Sequence, residues 1–181
     1  MLLTDIIDLI KLKPKPLEHY SQYPLALTVG IILLILLAGV LTTPPDPELS
    51  TMELVIVTLI IVPLYVIPGM YFLRYWLNRK DSIVSLKALF NVWVLAGMLG
   101  ILYIPLELMQ LPYGLDLFLF LSLLAYPIVI WVVAIAKGAN VSVGYVVGGE
   151  LLFHLIIVVF AIFLLGLGTL LYFIFVEPPA L

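Results

Sequence analysis

Five long apolar stretches alternate with short polar segments along this chain. A helix needs about 20 apolar residues to cross a hydrocarbon core of about 30 Å. The pattern predicts spans over the following ranges: 25–43, 54–73, 88–106, 117–136 and 145–176. It therefore predicts an all-α, polytopic membrane protein, in which five transmembrane helices form a single domain over residues 24–181.

The fifth stretch is longer than one crossing needs. Residues 141–176 would form a helix of about 54 Å at 1.5 Å per residue. Such a helix protrudes into the cytoplasm, tilts strongly or breaks. For the last of these alternatives, Gly148-Gly149 is the expected place, because glycine lowers helix stability.

Residues 1–23 predict a cytoplasmic amphipathic helix followed by a linker. Apolar side chains recur at helical spacing over residues 2–10, and polar side chains, Asp5 and Asp8 among them, occupy the other face. Two placements are open: the helix lies in the membrane interface, or it docks on the protein's own cytoplasmic face. Pro14 and Pro16 end it, because proline cannot continue a helix.

The basic residues indicate the direction in which the chain crosses the membrane. All eight precede the first span or lie between alternate spans: Lys11, Lys13, Lys15, Arg74, Arg79, Lys80, Lys87 and Lys137. Lys and Arg are enriched in cytoplasmic loops. The N-terminus is therefore predicted to be cytoplasmic and the C-terminus to lie on the opposite side of the membrane.

Composition fits a membrane location and narrows the chemistry. Of the 181 residues, 65% are hydrophobic and 10% are charged, against about 25% charged in soluble domains. The chain has no cysteine, which excludes thiol catalysis and Cys-based metal sites. It carries no common hydrolase, nucleotide-binding or metalloprotease motif. We therefore predict no enzymatic activity, no catalytic or metal-binding residues, no cofactor and no nucleic-acid partner.

Three polar residues in the predicted spans form a candidate intramembrane polar site: Glu150, His154 and Asn91. Glu150 and His154 are four residues apart and share one helix face. Ionisable groups in a bilayer are costly and often functional. The pair fits a structural role at headgroup depth, a lipid or ligand contact, or proton or ion movement. Asn91 better fits a hydrogen bond between helices. Haem ligation by both histidines is disfavoured, because His19 precedes the first span.

Small residues spaced four apart predict close helix packing. Gly144 and Gly148, with Gly149 beside them, lie in the fifth span, and Ala96 and Gly100 lie in the third. Small side chains let membrane helices approach closely. We expect these positions to pack within the helical bundle, with contact between subunits of an oligomer as the alternative.

Three short segments carry a family resemblance. An amphipathic stretch reaches a proline at Ile6–Pro16, including Leu12-Lys13-Pro14; the fourth span contains Trp131; and Val141-Ser142 opens the fifth. With five spans and a basic loop after the second, this layout resembles the Yip (Rab-GTPase-interacting) type of membrane protein in a short, prokaryotic-like form. The resemblance implies a non-enzymatic membrane scaffold or adaptor.

The expected function is that of an accessory or scaffold subunit of a larger membrane complex. Its expected partners are membrane lipids and other integral membrane subunits, or a second copy of the chain. The alternative is a small transporter or lipid-handling protein that uses Glu150 and His154. Prolines in the second and fourth spans, Pro63, Pro68 and Pro127, would kink the helices beside such a site.

Overall fold

The computed structural model describes residues 1–42, 51–80, 83–102, 109 and 112–175, and the secondary structure in these ranges is helical throughout. The all-α prediction is confirmed for this part of the chain. Its α-helices are, in order, α1 Leu2–Ile10, α2 Leu17–Ser21, α3 Leu25–Thr42, α4 Thr51–Asn78, α5 Leu86–Gly97, α6 Tyr113–Gly138 and α7 Val143–Phe175. A 3-10 helix, Met98–Leu102, directly follows α5.

Two of the described helices are long and apolar enough to cross a membrane, over Tyr113–Gly138 and Val143–Thr169. Only 24% and 6% of their apolar windows are buried inside the protein. Core helices of soluble proteins bury their apolar side chains, whereas these two leave most of theirs uncovered. The pattern is that of a membrane-associated protein.

The described helices differ most from the predicted spans in three places. Helix α4 continues to Asn78, beyond the predicted end of the second span. Helix α5 ends at Gly97, and residues 103–106 of the predicted third span lie outside the described residues. Helix α7 runs unbroken for 33 residues, about 50 Å. The structure therefore rules out the break at Gly148-Gly149 among the three alternatives. Gly149 is instead a point of close approach to α4.

Helices α1 and α6 end in the same way. Leu12 and Asn140 each follow a helix with positive φ, at 54° and 53°, and the next residue's N–H bonds back into the last turn at 2.8 and 2.9 Å. This is the Schellman arrangement, which satisfies otherwise unpaired carbonyls. Asparagine adopts this conformation readily, whereas Leu12 is held by packing against the core and by Lys137, whose Nζ donates to its carbonyl at 2.8 Å.

The buried side chains gather where α1 and α2, the C-terminal turns of α4 and α6, and the N-terminal turns of α3, α5 and α7 meet. We call this region the basic end, because the Lys and Arg residues surround it. Helix α5 lies at its centre and contacts α1, α2, α3, α4 and α6. The largest fully buried apolar side chains are Tyr20, Leu9, Leu73, Leu77, Leu89, Ile130, Ile135, Val92, Val94 and Val146.

Candidate functional site

A buried carboxylate ties α1 to the segment that follows it, residues 15–23. Asp5 on α1 has no exposed surface. Its Oδ1 accepts a hydrogen bond from Lys15 Nζ at 2.5 Å, and its Oδ2 accepts from His19 Nε2 at 2.5 Å and from the Tyr23 hydroxyl. Because an ionised carboxylate only accepts hydrogen bonds, His19 carries a proton on Nε2. Asp5 therefore lies on the polar face of α1, as predicted, but it is buried there by residues 15–23.

The partners of Asp5 keep it ionised in spite of its burial. Burial by itself raises the pKa of Asp5, but the hydrogen bonds from Lys15, Tyr23 and His19 outweigh it and lower the pKa to about 2. The hydrogen bond to Asp5 raises the pKa of Lys15, and burial raises the pKa of Tyr23. At neutral pH the cluster is thus a partly buried ion pair with two further donors.

Helix α1 docks on the protein itself, through α5 and α6. The Tyr126 hydroxyl on α6 donates to the carbonyl of Ile10 at 2.6 Å, which satisfies one of the carbonyls at the end of α1. Met1, Leu3 and Ile7 remain exposed and form an apolar edge that faces outward. The docked placement is therefore observed, and contact of this edge with lipid stays a prediction.

Asn91 joins three helices at the basic end. It is 1% exposed on α5. Its Nδ2 donates to the carbonyl of Tyr20 on α2 at 2.6 Å, and its Oδ1 accepts from Thr28 Oγ1 on α3 at 2.5 Å. Asn91 therefore forms hydrogen bonds between helices, as predicted. It has no contact with Glu150 or His154, so the three residues do not form one site.

Glu150 and His154 lie on α7 beside α4. The Nδ1 of His154 lies 2.6 Å from the main-chain oxygen of Glu150, and its Nε2 contacts the Tyr65 hydroxyl. A carbonyl only accepts, so Nδ1 carries the proton; in the neutral ring Nε2 then accepts from Tyr65. Both ring nitrogens are engaged, and neither bonds to the Glu150 carboxylate, which makes no hydrogen bond to the described residues. The pair shares a face, as its spacing predicts, without forming a carboxylate–imidazole relay.

Aromatic rings fill the contact between α4 and α7. Trp76 stacks on Tyr145 with ring centroids 5.1 Å apart. The Trp76 Nε1 donates to the Tyr145 carbonyl at 2.9 Å, and the Tyr145 hydroxyl donates to the Trp76 carbonyl at 2.8 Å. Phe72 continues the row between Trp76 and Phe153, with centroids 6.3 and 5.6 Å away. Sequence reasoning missed this row, because residues 65–76 and 145–154 are far apart in the chain.

The small residues singled out by their spacing have different surroundings. A Cβ on Gly149 would lie 2.6 Å from Trp76 Cδ1, so α4 and α7 approach closely only because no side chain is there. A Cβ on Gly144 or Gly148 would meet no atom within 4 Å. Packing of those two against the described part of the chain is therefore not observed, and the packing prediction stays a prediction, as does its alternative, contact with another subunit.

The second small-residue pair does not form one helical face. Ala96 is buried in α5, whereas Gly100 lies in the 3-10 helix that follows. A 3-10 helix has three residues per turn rather than 3.6, so a spacing of four no longer aligns the two positions. Ala96 is packed in the core, as expected, whereas packing at Gly100 stays a prediction.

The fold defines the class only broadly, as an all-helical, membrane-associated protein over its described residues. Comparison of the chain with protein-family models, with curated proteins and with solved structures gives no match. Among the described residues, no group of three or more His, Asp or Glu side chains is placed to hold a metal ion.

Proposed function

We propose that this chain is a five-span integral membrane protein that acts as a non-catalytic accessory or scaffold subunit of a larger membrane assembly. Its N-terminus and its basic end are cytoplasmic and its C-terminus lies on the opposite side. The positions of all eight Lys and Arg residues support this orientation. The role is the one implied by the resemblance to Yip-type proteins.

The observation that carries the proposal is the exposure of residues 155–169, which we call the far half of α7. Its large apolar side chains, with Ile157 the half-buried exception, are exposed; Leu155, Ile162 and Leu165 are 58%, 64% and 73% exposed. An open apolar groove of ≈450 Å³ lies there, lined by Leu155, Ile156, Val159, Phe160 and Phe163. This surface is available to lipid or to the helix of another subunit.

Glycine positions on α7 favour another helix over lipid as the neighbour. Gly144, Gly148 and Gly166 fall on one face of a 3.6-residue helix, and a Cβ at each would meet open space. Close helix contacts in membranes are built where small residues let backbones approach. The same face carries exposed Leu155 and Ile162 between the glycines. We assign this face to subunit contact.

The test is purification of the full chain from its native membrane in a mild detergent. Recovery with other integral membrane subunits, or as a defined oligomer, is the expected result; recovery only as a lone monomer would contradict the proposal. Gly166→Leu should reduce recovery of the assembly. Gly168→Leu is the matched control, because Gly168 is equally open but lies on another face of α7. If the two variants give equal recovery of the assembly, the face that carries Gly144, Gly148 and Gly166 is not the subunit contact.

The second candidate is a small transporter or lipid-handling protein. It is favoured by the Glu150 carboxylate, which makes no hydrogen bond to the described residues and lies one turn from His154. An unpaired carboxylate in a bilayer is costly and calls for a ligand, proton or water. Replacing both residues (Glu150→Gln with His154→Phe) distinguishes the two functions. An accessory subunit keeps its assembly and activity, whereas a transporter loses flux while the assembly stays intact.

A further inference from the structure

Two cations rest on the aromatic stack at the C-terminal end of α4. The Arg79 guanidinium carbon lies 5.6 Å from the centroid of the Trp76 ring, and Lys80 Nζ lies 5.6 Å from the centroid of the Tyr145 ring. Both distances are in the range of favourable cation–π contacts. The rings are fixed by the reciprocal hydrogen bonds between Trp76 and Tyr145. The stack therefore supports the cations of two residues that are adjacent in the chain.

These two charges are available to a ligand. Arg79 and Lys80 are exposed, and neither forms an ion pair with the described residues; Asp81 lies outside them. Lys15 differs, because Asp5 binds its ammonium group at 2.5 Å. Arg79 and Lys80 are adjacent in the chain, and their cations lie against the two rings of one stack. A guanidinium and an ammonium suit a phosphate group, which accepts the planar fork of arginine and the point charge of lysine.

An exposed apolar stripe runs along α4 and ends at Arg79. Leu64, Ile67, Tyr71 and Tyr75 are 70%, 48%, 58% and 64% exposed. Their spacing of three and four residues places them on one helix face, and Arg79 continues the same row. A ligand with a phosphate at one end and long apolar chains at the other would contact both parts of this surface.

The geometry points to a binding site for an anionic phospholipid, with its headgroup phosphate on Arg79 and Lys80 and an acyl chain along Leu64, Ile67, Tyr71 and Tyr75. The site rests on the proposed membrane placement of α4, with its C-terminal end at the cytoplasmic headgroup level. Anionic lipids of that leaflet attract basic side chains near the membrane surface. The apolar stripe favours a lipid over a free phosphate, which could use only the two cations.

The experiment measures lipid retention on the full chain. The wild-type protein is purified in mixed micelles that contain phosphatidylglycerol and phosphatidylcholine in equal amounts, and bound lipids are counted by native mass spectrometry. We expect phosphatidylglycerol to be retained on the order of tenfold over phosphatidylcholine. R79Q with K80Q should bring that ratio close to one, whereas R79K with K80R should keep most of it.

The matched control is K11Q with K13Q, which removes the same charge from the same end of the protein. Lys11 and Lys13 are exposed and lie over no aromatic ring among the described residues. The control should retain most of the preference. An equal loss of the phosphatidylglycerol preference in both double variants would overturn the site. It would show that the basic end attracts anionic lipid only through its overall charge. Full displacement of the lipid by millimolar glycerol 3-phosphate would also contradict it.

A separate measurement distinguishes failure of the proposed membrane placement from failure of the lipid site. If the chain is released from membranes by alkaline carbonate without detergent, the proposed integral membrane function fails, whatever lipid is retained. If the chain stays in the membrane but the wild type shows no preference for phosphatidylglycerol, only the lipid site fails. Circular dichroism of R79Q with K80Q checks that the helices are intact, as expected for two exposed side chains.

Discussion

The basic end and the far half of α7 differ in how far the protein buries their side chains. At the basic end, Asp5, Asn91 and Tyr20 are almost completely buried, and each is hydrogen-bonded to another element. In the far half of α7 the apolar side chains are exposed, and the protein supplies few neighbours. The comparison shows that contacts within the chain hold the basic end together. In the far half of α7, lipid or another protein has to cover the apolar side chains.

The proposed membrane placement accounts for this difference. At the basic end, buried polar groups must find partners, because an unpaired buried group costs about 1–3 kcal/mol. Within lipid, an apolar side chain gains little by leaving lipid for protein, so helix contact depends on packing and small residues. The two regions should therefore respond very differently to substitution.

The largest expected effect is at Asp5. Asp5→Ala removes the common acceptor of Lys15, His19 and Tyr23. It leaves the buried Tyr23 hydroxyl and the half-buried Lys15 and His19 without this acceptor, at a cost of about 3 kcal/mol in the free energy of unfolding. Asp8→Ala is the control, since Asp8 approaches Lys15 only to 3.9 Å and is about one-third exposed; it should cost less than about 1 kcal/mol. Denaturant unfolding in a mild detergent measures both. Equal costs would show that Asp5 does not hold α1 in place.

The next largest effect is expected at Gly149 of α7, where the helix packs against α4. Gly149→Ala places a Cβ 2.6 Å from Trp76 Cδ1, and relief of that clash should cost about 2 kcal/mol. Gly148→Ala adds the same methyl group where no atom lies within 4 Å. It should be neutral or stabilise the helix by up to about 1 kcal/mol. Thermal unfolding of the two variants, one residue apart, decides whether α4 and α7 touch at Gly149.

Acid should weaken the basic end through Asp5. Its pKa is about 2 in the folded protein, against 3.8 for a free side chain, so the unfolded chain takes up a proton first as pH falls. The stabilisation is full above about pH 4 and is lost progressively as the pH falls towards 2. It amounts to about 2 kcal/mol. Unfolding measured from pH 6 to 2 should show this loss in the wild type, and the loss should be smaller in Asp5→Ala.

The smallest effect is expected in the far half of α7. Val159→Ala shortens a side chain that is 58% exposed, so the isolated chain should change its stability by less than about 0.5 kcal/mol. A loss of about 2 kcal/mol in a monomeric preparation would show that this half is packed within the protein. The comparison would then no longer hold.

The sequence predicts the helices better than the contacts between them. Apolar length and the prolines locate the helices, because both act locally. Burial of Asp5 depends on Lys15, His19 and Tyr23, which the turn after α1 brings back over that helix. Of these three residues, only His19 lies in α2, so their spacing of four does not define one helix face and does not reveal the shared carboxylate.

The surroundings of Glu150 and His154 were predicted only in part, because they include contacts between helices that are far apart in the sequence. Helical spacing correctly places Glu150 and His154 on one face, but it says nothing of Tyr65, which lies on another helix and contacts the imidazole. Gly148 and Gly149 look alike in sequence. Only the position of Trp76 makes one a close contact and leaves the other open.

The most direct test of the account uses the absence of cysteine in the chain. Single cysteines are introduced in turn and treated with a membrane-impermeant maleimide on intact cells. Five spans with a cytoplasmic basic end predict labelling from outside at Asp46→Cys, Met109→Cys and Pro178→Cys. They predict labelling only after permeabilisation at Lys13→Cys, Lys87→Cys and Asn140→Cys. Labelling of the basic-end positions in intact cells, or protection of all three outer positions, would contradict the proposed topology.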